Sequence, residues 1–453
     1  MNFTDELTAF RDRTVDPGYD ALILLGTRQS TTAALLIGTL QLQRVAFLLT
    51  EETRGLPDEV AVLLSCSPET WFCPPGDHST TLAVYQGLRQ VLDQWVDLDR
   101  SRIAVDVTGG LKPMSLGLEK AAHVLGLQTI YVQSDYTTQA NGRFVTVPGT
   151  QRLIIPPDPY LVFGDLEAAE ARRQFRQHNY AVAARLFEEL ANRVPEPQCR
   201  HYAAAAALAA AYAAWDVFDF ADAQQHLDAL LTLPPSDLGE IAAYRSVLKH
   251  QHTALGRLYT IAQSVVQHDD DALRTLADPD AILPLLGTLH ATAERRAAQG
   301  RYDFAALFCY RCLELISQHR LASHGLLSHK PDYKRLPFPK ADLSTRFQAV
   351  QRQLGRKQPK GLPDRVMLFD GYMLLAALDD PLVRGYSIKQ IEDRSQARNT
   401  SVLAHGYRLI DQPEYDSFAG VVEAMIDRLF GEVLHHPRAE WESQMRFQSP
   451  FAM

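Results

Sequence analysis

The sequence predicts an α/β domain with a doubly wound parallel sheet, followed by a long all-α region. Three observations predict it. Four short apolar runs alternate with helix-spaced segments over about the first 155 residues. Four prolines, Pro148, Pro156, Pro157 and Pro159, punctuate the exit from that stretch. Beyond them, almost every segment is alanine-rich and helical in spacing, as in "RHYAAAAALAAAYAAWDVF".

The strands come first. "DALILLG" (20–26), "RVAFLLT" (44–50), "RIAVDV" (102–107) and "QTIYVQS" (128–134) are short, rich in apolar and β-branched residues, and end in turn signals. Apolar on both sides, they fit a parallel sheet covered by helices on each face, whose ligands sit beyond the carboxyl ends of the strands. "TTAALLIGTLQL", "TTLAVYQGLRQVLDQWV" and "PMSLGLEKAAHVLG" are the intervening helices, and "RFVTVPGTQRLIIPP" reads as a hairpin or edge segment. The helical region carries a weak repeat, "NYAVAARLFEEL", "DFADAQQHLDAL" and "RYDFAALFCYRCLEL", each pairing an aromatic residue (Tyr180, Phe220, Tyr302) with an alanine three positions on (Ala183, Ala223, Ala305). Aromatic-into-small packing of this kind belongs to stacked helical hairpins. The expected division is 1–160, 161–290 (weakly TPR-like, connecting) and 291–453.

Composition narrows the function. With 46% hydrophobic and 22% charged residues, the chain is an ordinary globular protein. The opening "MNFTDELTAFRDR" is too polar for a signal peptide and no apolar run approaches a membrane span, so a cytoplasmic protein without membrane partners is expected. The five cysteines are too few and scattered for a disulfide framework; Cys309 and Cys312 read as packed thiols. No histidine cluster has metal-ligand spacing, so no metal or cofactor is expected. A net charge of −9 argues against sequence-blind duplex binding. Locally the balance reverses: between Arg320 and Arg365 stand eleven Lys/Arg and three Asp. That segment is either a solvated face or, with a site nearby, a guide for RNA, with Arg352, Arg356, Lys357 and Lys360 as its binding residues.

Two motifs carry chemistry. After the third strand, "VDVTGGLKPMS" places two residues without a β-carbon, Gly109 and Gly110, where backbone N–H groups must approach a ligand. Thr108 adds a hydroxyl and Lys112 a cation, and Pro113 suits the first turn of a helix whose amino end favours anions. The first strand ends similarly, with Thr27, Arg28, Gln29, Ser30 and Thr31. Neither G-x-G-x-x-G nor a G-K-[ST] ending is present, which excludes a dehydrogenase or a P-loop ATPase. The second motif is "ARNTSVLAHG". On a continuous helix, Arg398, Ser401 and His405 share one face with Ile388, Ile391, Ser395, Val402 and Leu409, the expected apolar seam.

The first motif, with "LILLGTRQST" upstream, resembles the CRISPR-associated Rossmann-like sensor domain (CARF) over roughly residues 18–155. Its pattern D-x-T-G-G-x-K-x-M is met by Asp106, Thr108, Gly109, Gly110, Lys112 and Met114, with Leu111 where threonine is frequent. "ARNTSVLAHG" resembles the R-x₄₋₆-H motif of HEPN ribonucleases, with Asn399 directly after the arginine, and "GRYDFAALFCYRCLELISQHRL" looks like a HEPN helix. Together they resemble the type III CRISPR-associated CARF–HEPN ribonucleases. The resemblance implies a Rossmann-like sensor followed by an all-α region with a HEPN domain. It also implies a homodimer that binds a cyclic oligoadenylate made by a type III effector complex. Cyclic tetra-adenylate is favoured and cyclic hexa-adenylate is the alternative. Binding would use the two strand-end turns and Met114, and the substrate would be single-stranded RNA. Arg398 and His405 would cut it without metal, with Asn399 and Ser401 orienting the histidine or holding phosphate. The rival expectations are a ligand-sensing regulator with a DNA-binding tail and a scaffold without nuclease activity; degradation of the ring by the sensor domain itself is an additional expectation that coexists with the ribonuclease reading.

Overall fold

A computed structural model of the chain describes residues 2–138, 142, 144–264 and 269–451. It divides into two compact units, 1–161 and 162–453.

Unit one is built on a mixed five-stranded sheet. In chain order it runs α1 (Phe3–Arg13), β1 (Ala21–Leu25), α2 (Ser30–Thr39), β2 (Arg44–Leu48), α3 (Leu56–Leu64), α4 (Thr81–Gln94), β3 (Ile103–Asp106), α5 (Lys112–Leu125), β4 (Gln128–Gln133), β5 (Tyr136–Thr138), β6 (Phe144–Thr146) and β7 (Arg152–Ile154). The sheet order is β2-β1-β3-β4-β7, with β5 and β6 in a separate pair. Contacts β1–β2, β1–β3 and β3–β4 are parallel, in register Leu22↔Val45, Leu22↔Ala104 and Val105↔Thr129, whereas β7 runs antiparallel to β4. Alternation along β1 decides which core each residue joins. Leu22 and Leu24 pack with Phe10, Leu35 and Val60 from α1 to α3, while Ala21, Ile23 and Leu25 pack with Leu88, Val91 and Leu118 from α4 and α5. Helices therefore cover both faces, and polar turns gather where β1, β2 and β3 end.

A short helix, α6 (Pro159–Phe163), lies at the boundary between the units. Unit two is helical: α7 (Asp165–Arg176), α8 (Tyr180–Arg193), α9 (Gln198–Asp216), α10 (Phe220–Thr232), α11 (Arg245–Ser264), α12 (Asp269–Ala277), α13 (Pro279–Ala298), α14 (Tyr302–Ser323), α15 (Lys340–Gln353), α16 (Leu368–Ala377), α17 (Lys389–Asn399), α18 (Gln412–Arg428) and α19 (Arg438–Met445). The sequence repeat marks three hairpins with one turn. After α7, α9 and α13 a left-handed residue, His178, Phe218 or Gly300, stops the helix. The following N–H reaches back to Gln174, Ala214 or Arg296 respectively, at 2.8–2.9 Å. This is the six-to-one bond of a Schellman cap. The next helix then starts on the repeat aromatic, and Ala183, Ala223 and Ala305 are fully buried.

Unit two has two cores. One joins α7–α11, and the other joins α13–α18. The expected division at 290–291 falls inside α13, which runs unbroken from Pro279 to Ala298. The C-terminal segment also crosses back: Met445 and Phe451 are buried in the α7–α11 core, and Phe447 stacks on Tyr212 at 4.1 Å. Among the described residues no helix is long and apolar enough to cross a membrane.

Candidate functional site

The Arg398/His405 motif is brought together differently from the expectation. Helix α17 buries Ile388, Ile391 and Ser395, as its seam predicts, then ends at Asn399. Val402 and Leu409 are largely exposed, and His405 sits in a turn rather than on a helix. The cause is local. Asn399, Thr400 and Ser401 are poor helix formers whose side chains compete for backbone groups. The chain folds back instead: Val402 N–H donates to Arg408 at 2.9 Å, Arg408 N–H to Thr400 at 3.2 Å, and Gly406 N–H to Ser401 at 3.1 Å. A β-carbon on Gly406 would stand 1.9 Å from the Thr400 carbonyl oxygen, so the closure requires glycine. Ile410 N–H to Asp303 (3.0 Å) and the Arg408–Glu414 ion pair (2.6 Å) pin the far side.

This closed loop returns His405 to the helix end, where its N–H donates to the Asn399 carbonyl at 3.4 Å. The Arg398 guanidinium lies 4.4 Å over the Tyr310 ring of α14 and donates from Nη1 to Asn399 Oδ1 at 3.3 Å. Arg398 Nε is buried without a hydrogen-bond partner. A half-buried guanidinium held against a ring and an amide oxygen, one residue from the carbonyl that receives the exposed His405, is suited to a phosphate group. Ser401, by contrast, is 2% exposed, which removes its hydroxyl from the surface where phosphate was expected to bind. Its carbonyl closes the loop. Val402, Leu403, Tyr407 and Leu409 leave apolar surface around the motif, Tyr407 being 98% exposed.

At the sheet edge a cleft of about 550 Å³ is lined by Gly26, Thr27, Arg28, Gly110 and Leu111 from the predicted turns. Gly110 adopts φ +84°, which an L side chain resists. Gln29 precedes α2, which Ser30 and Thr31 open, and Lys112 is exposed at the start of α5. Two expected ligands point inward instead. Thr108 donates its hydroxyl to Asp106 and accepts from Val132 N–H at 2.7 Å, and Met114 is fully buried in the α4/α5 core. Burial pushes Asp106 up to about 6 against the opposing pull of its Thr108 hydrogen bonds. Thr50, Glu51, Glu52, Thr53, Asp77 and Ser79 complete the cleft and were missed. The available signal was the polar "TEET" following the second strand.

The basic segment is less basic in space than in sequence. Arg320 and His324 hold the buried carboxylate of Asp380, Lys330 and His329 pair with Asp269, Arg335 with Asp270, and Arg356 with Glu392 of α17. Although burial opposes ionisation of Asp380, hydrogen bonds from His324 and Arg320 hold it down to about 2. Arg352, Lys357 and Lys360 remain exposed, without a described ion pair. One group of metal-ligand type exists among the described residues: donor atoms of His290, Glu294 and Glu423 lie within 4.8 Å of one another. Its parts come from α13 and α18, which sequence spacing does not reveal. Glu423 already accepts from His290 at 2.6 Å and pairs with Arg438, which makes an ion-pair network of it. Cys309 and Cys312 are buried, and burial pushes the Cys309 thiol up to about 12.

Comparison with known proteins adds an independent line. A CRISPR system endoribonuclease Csm6 from Thermus thermophilus is 25% identical over 419 residues, covering 89% of this chain and 84% of the relative. Enterococcus italicus Csm6 bound to cyclic hexa-2′-fluoro-hexa-dAMP aligns with TM-score 0.48 and 12% identity over 94% of this chain and 97% of that one. Can2 from Sulfobacillus thermosulfidooxidans in complex with cyclic tetra-adenylate aligns with TM-score 0.22 and 14% identity over 58% and 71%. Residues 163–255 match the family model described as the Csm6 6H domain, and residues 274–429, which contain the Arg398/His405 loop, match the Csm6 HEPN domain. With two successive domains of one family in order along unit two, this chain belongs to the Csm6 family of CRISPR-associated HEPN proteins.

Proposed function

We propose that the chain is an endoribonuclease of type III CRISPR defence that cuts single-stranded RNA without metal and is switched on by cyclic oligoadenylate. Residues 1–160 act as a Rossmann-like CARF sensor, the helices from 161 connect, and the HEPN part, with α13 wholly on its side, cuts. The observation that supports this reading is the closed loop that returns His405 to the Asn399 carbonyl, one residue from Arg398, within the segment matching the Csm6 HEPN domain. The name of the Thermus relative, an endoribonuclease over most of both chains, agrees with it.

The chemistry follows from the side chains. RNA carries its own nucleophile, the 2′-hydroxyl, so cleavage needs a base, an acid and stabilisation of charge at phosphorus. His405, an exposed imidazole, exchanges the proton. Arg398 cannot lose its proton and presents its fork to the phosphate oxygens. One copy supplies too few groups, and a second copy covering Val402, Leu403, Tyr407 and Leu409 would double them and bury the apolar surface. The ring, with cyclic tetra-adenylate favoured over cyclic hexa-adenylate, would occupy the cleft at Thr27, Arg28 and Gly110.

The test is cleavage of a single-stranded RNA reporter with each ring added in turn, in EDTA. Wild type should cut only with a ring and leave 2′,3′-cyclic phosphate ends. His405→Ala and Arg398→Ala should each abolish cutting, and mixed dimers of wild type with His405→Ala should lose well over half of it. EDTA-sensitive cutting with 5′-phosphate products, or full activity in the double variant, would overturn the proposal.

A further inference from the structure

The cleft at the ends of β1 and β2 has an odd charge balance for a site that takes a polyanion. Three carboxylates, Glu51, Glu52 and Asp77, line it against a single cationic side chain, Arg28. Two side-chain donors of the cleft are already engaged by its carboxylates. Arg28 Nη2 reaches across from the β1 turn to Glu52 in the β2 turn, and the Ser79 hydroxyl donates to Asp77 at 2.9 Å. Glu51 pairs with Arg54, outside the lining, at 3.1 Å. The Arg28 and Glu52 side chains are 81% and 72% exposed, and an exposed ion pair contributes little to stability. Its placement across the mouth of the cleft therefore calls for another explanation.

We propose that Glu52 is an internal stand-in for phosphate: it occupies Arg28 in the free protein, and a phosphodiester group displaces it on binding. This rests on the reading of the cleft as a cyclic oligoadenylate site. Exchange rather than simple capture has a consequence for selectivity. A single phosphate ion must break the Arg28–Glu52 pair and approach three carboxylates for one new contact. A ring presenting several phosphates breaks the pair once and is repaid by further contacts along the Thr27 and Gly110 turns. Glu52 thereby lowers affinity for the true ligand and excludes small anions, a form of negative discrimination. Neither motif flagged Glu52, because its role arises only when two strand ends meet.

Calorimetric titration of cyclic tetra-adenylate, cyclic hexa-adenylate and inorganic phosphate into wild type, Glu52→Gln, Arg28→Ala and the double variant tests this. Both side chains are exposed, so the variants should fold. Glu52→Gln keeps the size and removes the charge, and should tighten the bound ring by about three- to fivefold, the upper part of the scale of one exposed ion pair. It should also admit inorganic phosphate measurably. Arg28→Ala should weaken the ring, and in that background the gain from Glu52→Gln should shrink to within about twofold, because the pair is then already absent. Unchanged or weaker ring binding by Glu52→Gln, with wild type still binding, overturns the inference and leaves the sensor reading standing. A gain retained in full without Arg28 overturns it too, because simple repulsion then accounts for the effect. Absence of ring binding to both wild type and Glu52→Gln overturns both readings.

Discussion

Asp106 shows how much one buried residue in a motif carries without touching a ligand. It is fully buried at the end of β3, and its carboxyl serves Thr108, accepting both the hydroxyl and the backbone N–H (3.0 Å). Because its folded pKa is raised to about 6 from 3.8, the folded state prefers the protonated acid. Stability from this group is therefore fully present below about pH 4 and is lost as pH rises through 6. Asp106→Asn keeps an acceptor for Thr108 and removes the buried charge. It should be at least as stable as wild type at pH 7 and gain up to roughly 3 kcal/mol. The pH dependence that distinguishes wild type from variant between pH 4 and 6 should vanish, as read by denaturant melts across that range. A variant markedly less stable at pH 7 would show the carboxylate to be stabilised by something other than Thr108.

Among the elements, the loop after α17 is the most exacting. The hydrogen bonds that fold it back run through main-chain groups of residues 398–408, so the identity of Val402 or Leu403 matters little to its shape. Gly406 matters greatly. Gly406→Ala should open the loop and reduce RNA cleavage at least as far as a misplaced catalytic group does, about a hundredfold, while leaving the far-ultraviolet spectrum and the melting of unit two near wild type. The basic segment makes a second prediction at this scale. Replacing Arg352, Lys357 and Lys360 together should lower the salt dependence of RNA capture by about 0.7 per lost phosphate contact. Arg356→Gln should leave that slope unchanged, because Arg356 is already paired with Glu392. A slope that falls only with Arg356 would reverse the assignment.

At the scale of the molecule, the two cores of unit two are tied by a buried ionic knot and by the chain end. Asp216 of α9 accepts from Arg295 (2.9 Å) and Arg296 (2.6 Å) of α13, and Phe447 lies 4.0 Å over the Arg295 guanidinium. The Tyr212 hydroxyl donates to Gln251 and accepts from the Gln448 N–H. Phe447→Ala should thus cost about 3 kcal/mol and uncover a buried cation. Calorimetry should show unit two melting in two steps, the α7–α11 core first. One cooperative transition at the wild-type temperature would mean that the C-terminal segment is dispensable.

The sequence by itself determined what depends on local pattern. Four strands lie within two residues of the apolar runs, because burial on two faces in β1, β2 and β3, and on one in β4, leaves no choice of partner surface. The repeat aromatics each open a helix, because the preceding left-handed turn and the alanine three positions on are encoded within a few residues. It also placed Arg398 and His405 in one motif. The neutralisation of the basic segment, the pairing of Glu52 with Arg28, the bond from Val132 N–H to Thr108 and the burial of Met114 were decided by tertiary structure, whereas the Arg398/His405 geometry turns on a local reversal whose closure the spacing alone does not reveal. A spacing of seven positions from arginine to histidine fits a helical face equally well, and the chain reversal that brings Gly406 close to Thr400 excludes it. Asp269, Asp270, Asp380 and Glu392 lie far along the chain from the cations they meet. Electrostatic energy depends on distance in space, and a charge count along the chain cannot register it.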